Sequence, residues 1–177
     1  MPLIKTYETN EATGELKALY DEITALRGRV GNNAKLFSVS PEALRQQLDF
    51  IKYYINHPTL SMPLLAAIRI LVSSGENCEF CVDYNTGLLV NMMGWSIEDV
   101  HAMRKDIDNA NLQEKEKALL KFVVKAVQNA HGVNANDLDE LREMQWSDKD
   151  IFDAVAHGAK MLATDILFNA FKIEKDF

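Results

Sequence analysis

The sequence has few of the residues that build disulfide-linked, turn-rich or basic proteins. Two cysteines in 177 residues are too few for a secreted disulfide scaffold. Eight glycines and four prolines provide few tight turns, and no uncharged apolar run reaches the 18 residues that predict a membrane-spanning helix. Acidic residues outnumber basic ones by 26 to 19, giving a formal net charge of -7. Clustered Lys and Arg are absent, so nucleic acids and membrane surfaces are poor candidates as partners.

The N-terminal segment has no basic region followed by a long apolar core, which a secretion signal would have. We therefore expect a cytoplasmic protein. Apolar residues make up 47% of the chain and recur at helical spacing rather than in alternation. Since no linker or repeat interrupts this pattern, the sequence predicts an all-α protein with one domain over residues 1–177.

The helix boundaries follow from capping residues. Gly28 is expected to end a first helix that carries Leu16 to Leu26, and Ser40-Pro41 to begin a second helix that reaches Ile55. A turn is expected over 33–39. Further helices are predicted over 64–74, 78–93, 113–128, 136–144 and 151–173, with capping boxes at 96–99 and 147–150. Asn77 is the expected N-cap of the helix over 78–93.

The pattern Cys78-x-x-Cys81 is the feature that carries chemistry. Two cysteines three apart in the first turns of a helix share one face, so a reversible disulfide is possible. The partial positive charge of a helix N-terminus favours the reactive thiolate. Glu76, Glu79 and Asp83 oppose it, because nearby negative charge raises the pKa of a thiol.

Two other interpretations of the cysteine pair stay open. Free cysteines often pack as small apolar groups in helix interfaces. A zinc site would need four ligands, but no second cysteine pair exists and no histidine shows a paired-ligand spacing, so no metal is expected. No cofactor is predicted. The histidines are expected to cap helices or lie at the surface, with His101 as a candidate remote base; they are His57, His101, His131 and His157.

The segment RILVSSGENCEFCVDYN at 69–85 resembles the core of the carboxymuconolactone decarboxylase and alkylhydroperoxidase D-like (AhpD-like) superfamily. Segments upstream are similar to its peroxidase-related members, namely 19–23, 27–30, 35–37 and 40–44. Residues 113–171 are similar to the downstream helices of these members. The resemblance covers nearly the whole chain and implies a bundle of helical hairpins with C-x-x-C at the N-terminus of a core helix. It also implies a homo-oligomer, often a trimer or hexamer.

The resemblance implies a role for each cysteine. In redox members the second cysteine, here Cys81, attacks peroxide, and the first, here Cys78, closes the disulfide. Their proton relay uses a glutamate twelve residues before the first cysteine and a histidine four residues after the second. Ala66 and Asn85 occupy these positions here, and neither can act as a general base.

The leading prediction is therefore a thiol-dependent peroxidase or dithiol-disulfide oxidoreductase in antioxidant defence. Its substrate would be a peroxide or a disulfide, and its reductant a protein thiol or a dihydrolipoyl group. Asn85, Glu76, Tyr84 and His101 are candidate auxiliary residues. One alternative is a catalytically silent oligomer that acts by binding or redox sensing, and another is a lyase like carboxymuconolactone decarboxylase.

Overall fold

The computed structural model describes residues 2–177, which form nine α-helices and three short 3₁₀ turns, without a strand in this range. None of the helices within 2–177 combines the length and the apolar character that a membrane crossing requires. In chain order the helices are α1 (Gly14–Arg27), α2 (Asn32–Lys35), α3 (Pro41–Ile55), α4 (Met62–Gly75), α5 (Glu79–Met93), α6 (Ile97–Lys105), α7 (Glu114–Gln128), α8 (Ala135–Glu143) and α9 (Asp148–Phe171). The predicted all-α class is confirmed.

The chain divides into two compact units. The described part of the first unit comprises residues 2–57 and 167–177, and the second comprises 58–166. The sequence-based assignment of one domain to residues 1–177 stays a prediction.

The first unit is built on α1 and α3. As predicted, α1 ends at Gly28, whose positive φ of 81° is the left-handed conformation that glycine adopts readily. Ser40 caps α3 by accepting a hydrogen bond from the Ala43 N–H, and Pro41 occupies the first helical position. The core of this unit consists of Ala12, Leu16, Leu19, Tyr20, Ile23, Val30, Leu44 and Leu48. The turn expected over 33–39 is instead α2 followed by a 3₁₀ turn at Leu36–Val39.

The second unit centres on α4, which is buried on nearly all sides and packs against α5 and α7. At its C-terminus the Cys78 N–H donates to the Ser73 carbonyl at 3.0 Å, and the Asn77 N–H donates to the Ser74 carbonyl. These two bonds, with Asn77 at φ 53°, form a Schellman motif that ends α4. The prediction that Asn77 is the N-cap of α5 is therefore wrong. Cys78 holds that position, and its side chain makes no capping hydrogen bond.

The predicted capping boxes at Ser96 and Ser147 are confirmed. Ser96 Oγ accepts from the Asp99 N–H, and Asp99 accepts from the Ser96 N–H. Ser147 and Asp150 exchange the same pair of bonds at the start of α9. A third box, with Asn134 and Asp137, begins α8 one residue before the predicted position.

A glycine sets how closely α9 approaches α4 and α7. A Cβ atom at Gly158 would lie 2.8 Å from Val123 Cγ1 and 3.1 Å from Val127 Cγ2, both on α7, and 3.5 Å from Ile68 Cγ2 on α4. Because the first distance is shorter than carbon atoms tolerate, this spacing requires glycine. The close approach brings polar side chains of α9 into the second unit.

Candidate functional site

The two cysteines lie together at the start of α5, as the sequence predicted. Cys78 precedes the helix, and Cys81 is the third residue of its first turn. Both are free thiols, and their residues are only 1% and 3% exposed. The Schellman motif fixes the Cys78 backbone, so the end of α4 sets where α5 begins.

Asp165 of α9 completes the cluster. The two Sγ atoms and a carboxylate oxygen of Asp165 all lie within 4.8 Å of one another. Asp165 Oδ1 accepts a hydrogen bond from Ser73 Oγ at 2.9 Å. Its Oδ2 is also buried, and no N–H or O–H group within residues 2–177 donates to it. The buried carboxylate beside the two sulfurs therefore has one oxygen without an N–H or O–H donor in this range.

Two groups of the cluster, Cys81 and Asp165, have a raised pKa and bind their protons more tightly than usual. The hydrogen bond with Cys78, burial and the charge of Asp165 raise the pKa of the Cys81 thiol above its ordinary value of 9.0. Burial raises the pKa of the Asp165 carboxyl above 3.8, while hydrogen bonds from Cys81, Ser73 and Cys78 oppose that rise. Asp165, which was not among the predicted residues, therefore opposes the thiolate; the predicted opposition by Glu76, Glu79 and Asp83 stays a prediction.

The position of the family's histidine is part of a separate network. Asn85 is buried, donates to the Cys81 carbonyl oxygen at 2.8 Å and accepts from Arg69 Nε. Arg69 Nη1 lies 3.1 Å from His157 Nε2. Because a guanidinium only donates, His157 Nε2 accepts. The expectation of a capping or surface histidine is wrong for His157, which is 4% exposed and contacts Arg69 from α9.

The other auxiliary candidates lie in different surroundings. Glu76 is exposed, and its charge acts on Asp165. Tyr84 stacks on Phe80, with ring centroids 6.2 Å apart. His101 is exposed on α6. Ala66, at the position of the family's glutamate, is fully buried in α4.

Sequence reasoning missed Asp165 because 84 residues separate it from Cys81 and no local pattern joins them. One signal was available. Asp165 follows Met161 by four residues and precedes Phe168 by three, so a carboxyl lies within the buried stripe of a long helix. A buried acid in such a stripe needs a polar partner.

Cysteine sulfurs and carboxylate oxygens are also groups that bind zinc. They supply three ligands, and no fourth histidine, cysteine or carboxylate of residues 2–177 joins the cluster. A structural zinc site uses four. The described residues therefore do not make a complete structural zinc site.

No protein-family model matches the sequence, and neither does any curated protein. Solved structures do match the fold. An uncharacterized peroxidase-related protein from Ralstonia eutropha JMP134, described as an alkylhydroperoxidase AhpD core, has a TM-score of 0.86 at 18% identity, over 99% of this chain and 92% of that one. An uncharacterized peroxidase-related protein from Silicibacter sp. TM1040 has a TM-score of 0.85 at 17% identity, over 99% of this chain and 92% of that one.

The debrominase Bmp8 matches with a TM-score of 0.77 at 18% identity, over 98% of this chain and 92% of that one. At such identities the similarity concerns the fold, and a fold does not determine an activity. The resemblance seen in the sequence is confirmed at this level: the chain has the AhpD-like helical fold.

Proposed function

We propose that the protein is a dithiol-disulfide oxidoreductase of the peroxidase type, in which Cys78 and Cys81 cycle between two thiols and one disulfide. The observation that carries the proposal is the convergence of both sulfurs and the Asp165 carboxylate within 4.8 Å. Inert packing explains two buried thiols but gives no reason for a buried acid beside them, since burying a carboxyl without need costs stability.

Cys81 is the proposed attacking residue and Cys78 the resolving one, as the AhpD-like resemblance implies. Attack on a peroxide ROOH converts Cys81 to a sulfenic acid and releases ROH. The Cys78 thiol then displaces water from that sulfenic acid and closes the disulfide. An external dithiol, such as a protein thiol pair or a dihydrolipoyl group, returns two electrons and two protons.

The burial of the sulfurs favours a small substrate. Exposed fractions of 1% and 3% leave little sulfur surface for a bulky disulfide, whereas a small peroxide needs only a narrow opening. We therefore favour a peroxide over a protein disulfide as the oxidant. A role in the cytoplasm and a trimeric or hexameric assembly belong to the same proposal.

The test is single-turnover oxidation by hydrogen peroxide, followed by stopped flow in wild type, Cys81→Ser and Cys78→Ser. The wild type should consume one equivalent of peroxide per cysteine pair. Cys78→Ser should stop at the sulfenic acid, and Cys81→Ser should not react on this time scale. Equal rates in wild type and Cys81→Ser would remove Cys81 from the mechanism.

One observation favours a redox sensor as the second candidate. The raised pKa of the Cys81 thiol leaves little thiolate near neutral pH, which slows reaction with peroxide. Such a site could be oxidised once without turning over. Multiple-turnover assays with dihydrolipoamide as reductant separate the two, because only an enzyme consumes peroxide beyond one equivalent.

A further inference from the structure

Asp165 lies where a proton must move if the cysteine pair reacts. Its Oδ1 is held by Ser73, and its Oδ2 has no N–H or O–H donor within residues 2–177. Both sulfurs lie within 4.8 Å of a carboxylate oxygen. The positions of the family's glutamate and histidine are occupied by Ala66 and Asn85, which cannot take up a proton.

We propose that Asp165 is the catalytic acid-base residue of the cysteine pair, brought by α9 into a site that lacks the usual glutamate and histidine. The assignment rests on the proposed oxidoreductase function. It concerns Asp165 alone, with Ser73 as its positioning residue.

The proton transfers balance in both half-steps. When Cys81 attacks ROOH, its thiol proton passes to the Asp165 carboxylate, the O–O bond breaks, and the same proton neutralises the leaving alkoxide as ROH. When Cys78 attacks the sulfenic acid, the S–O bond breaks and a second thiol proton passes through Asp165 to the departing hydroxide. The carboxylate ends each step unprotonated, and the pair has lost two electrons to the peroxide.

The surroundings of Asp165 suit this role. Burial raises the pKa of its carboxyl toward the operating range of a general base, whereas an exposed aspartate would be too weak a base. The titratable groups that act on it are Cys78 before α5, Cys81 in its first turn and Glu76 at the C-cap of α4, and Ser73 is its hydroxyl partner. The Ser73 bond to Oδ1 fixes the carboxylate beside the two sulfurs.

The rival interpretation is that Asp165 only fills space and adds charge. The two interpretations predict opposite changes in the reaction rate when Asp165 is replaced by Asn. The charge of Asp165 raises the pKa of Cys81, so Asp165→Asn lowers that pKa and creates more thiolate at pH 7. A purely electrostatic Asp165 then predicts a faster variant, whereas a base predicts a slower one.

The experiment combines the single-turnover rate with hydrogen peroxide and a thiolate titration by ultraviolet absorbance, each from pH 6 to 10. For Asp165→Asn we expect a rate at pH 7 lower by about 10²-fold or more, together with a thiolate titration displaced to lower pH. Toward high pH the variant should approach or exceed the wild type. The matched control is Asp153→Asn, a buried aspartate on α9 about 18 Å along the helix, which binds Lys149 and should change neither quantity.

An Asp165→Asn variant that is as fast as the wild type at pH 7, or faster, overturns the assignment while leaving the cysteine chemistry intact. A wild type that does not react at all overturns the proposed function and the assignment with it. If Asp165→Asn does not fold, Ser73→Ala provides the test. Loss of the Ser73 bond raises the Asp165 pKa further, so the acid limb of the rate profile should move to higher pH, and an unmoved limb contradicts the assignment.

Discussion

Ser73 and Asp165 are joined by a hydrogen bond of 2.9 Å between Oγ and Oδ1, although 92 residues separate them. Both side chains are fully buried. The carbonyl oxygen of the same serine accepts the Cys78 N–H at 3.0 Å. Ser73 therefore positions the acid through its side chain and the first cysteine through its backbone.

Loss of the Ser73 hydroxyl should destabilise the protein. Ser73→Ala leaves a buried carboxylate oxygen without its donor, which typically costs about 1–3 kcal/mol. Because protonation of Asp165 removes its charge, the decrease in the free energy of unfolding should be smaller at low pH. Urea unfolding at pH 5 and pH 8 measures both effects, and a cost that is the same at the two pH values would contradict this account.

Protonation of Asp165 should also make the free energy of unfolding depend on pH. Because burial raises its folded pKa above 3.8, the folded state binds the proton more tightly than the unfolded state. The stabilisation that comes from this tighter proton binding is complete below pH 3.8 and is lost as the pH rises through the folded pKa. The free energy of unfolding of Asp165→Asn relative to wild type should therefore increase with pH over that window.

Ionisation of the Cys81 thiol should change the stability in a second pH range, at alkaline pH. Its pKa is raised in the folded protein, so the unfolded thiol ionises first, near 9.0. Wild type should lose stability relative to Cys81→Ser as the pH rises above that value. Parallel unfolding profiles of the two proteins between pH 8 and 11 would contradict the raised pKa.

Gly158 should be intolerant of a side chain. Gly158→Ala places Cβ 2.8 Å from Val123 Cγ1, and such overpacking costs about 1–3 kcal/mol. Gly87→Ala on α5 is the matched control, since its Cβ would only contact Asn91 Nδ2 at 3.7 Å. That change should stabilise the helix by about 0.5–1 kcal/mol. Urea unfolding of both variants tests the contrast, and equal effects would contradict it.

Restoring the family's relay residues should not restore a relay. Ala66 is fully buried in α4, so Ala66→Glu forces a carboxyl into a packed core. Asn85→His removes the acceptor of Arg69 and the donor to the Cys81 carbonyl. We expect the double variant to be less stable than wild type and no faster at pH 7. A stable, faster double variant in the peroxide assay would show that the site can hold both groups.

The sequence predicted local features better than distant ones. The end of α1 at Gly28, the start of α3 at Pro41 and the box at Ser96 depend on neighbouring residues, so capping rules locate them. Asn77 suits either a left-handed C-terminal position or an N-cap. The bonds from the Cys78 N–H to Ser73 and from the Asn77 N–H to Ser74 decide for the first.

Asp165 could not be predicted from local sequence patterns. Local sequence identified Cys78 and Cys81, because their spacing is itself the motif. Asp165 reaches them only through the packing of α9 on α4 and α7, which depends on Gly158 and its neighbours. Electrostatic reasoning limited to adjacent residues therefore considered the charges of Glu76, Glu79 and Asp83 and did not include that of Asp165.

The central claim is that Cys78 and Cys81 form a reversible redox pair. The most direct measurement is the intact mass of the protein after mild peroxide oxidation and again after treatment with dihydrolipoamide, with alkylation of the remaining thiols. The account predicts a loss of two hydrogen atoms and of both alkylation sites on oxidation, and full recovery of both on reduction. Two thiols that remain alkylatable in the unfolded, oxidised sample would contradict it.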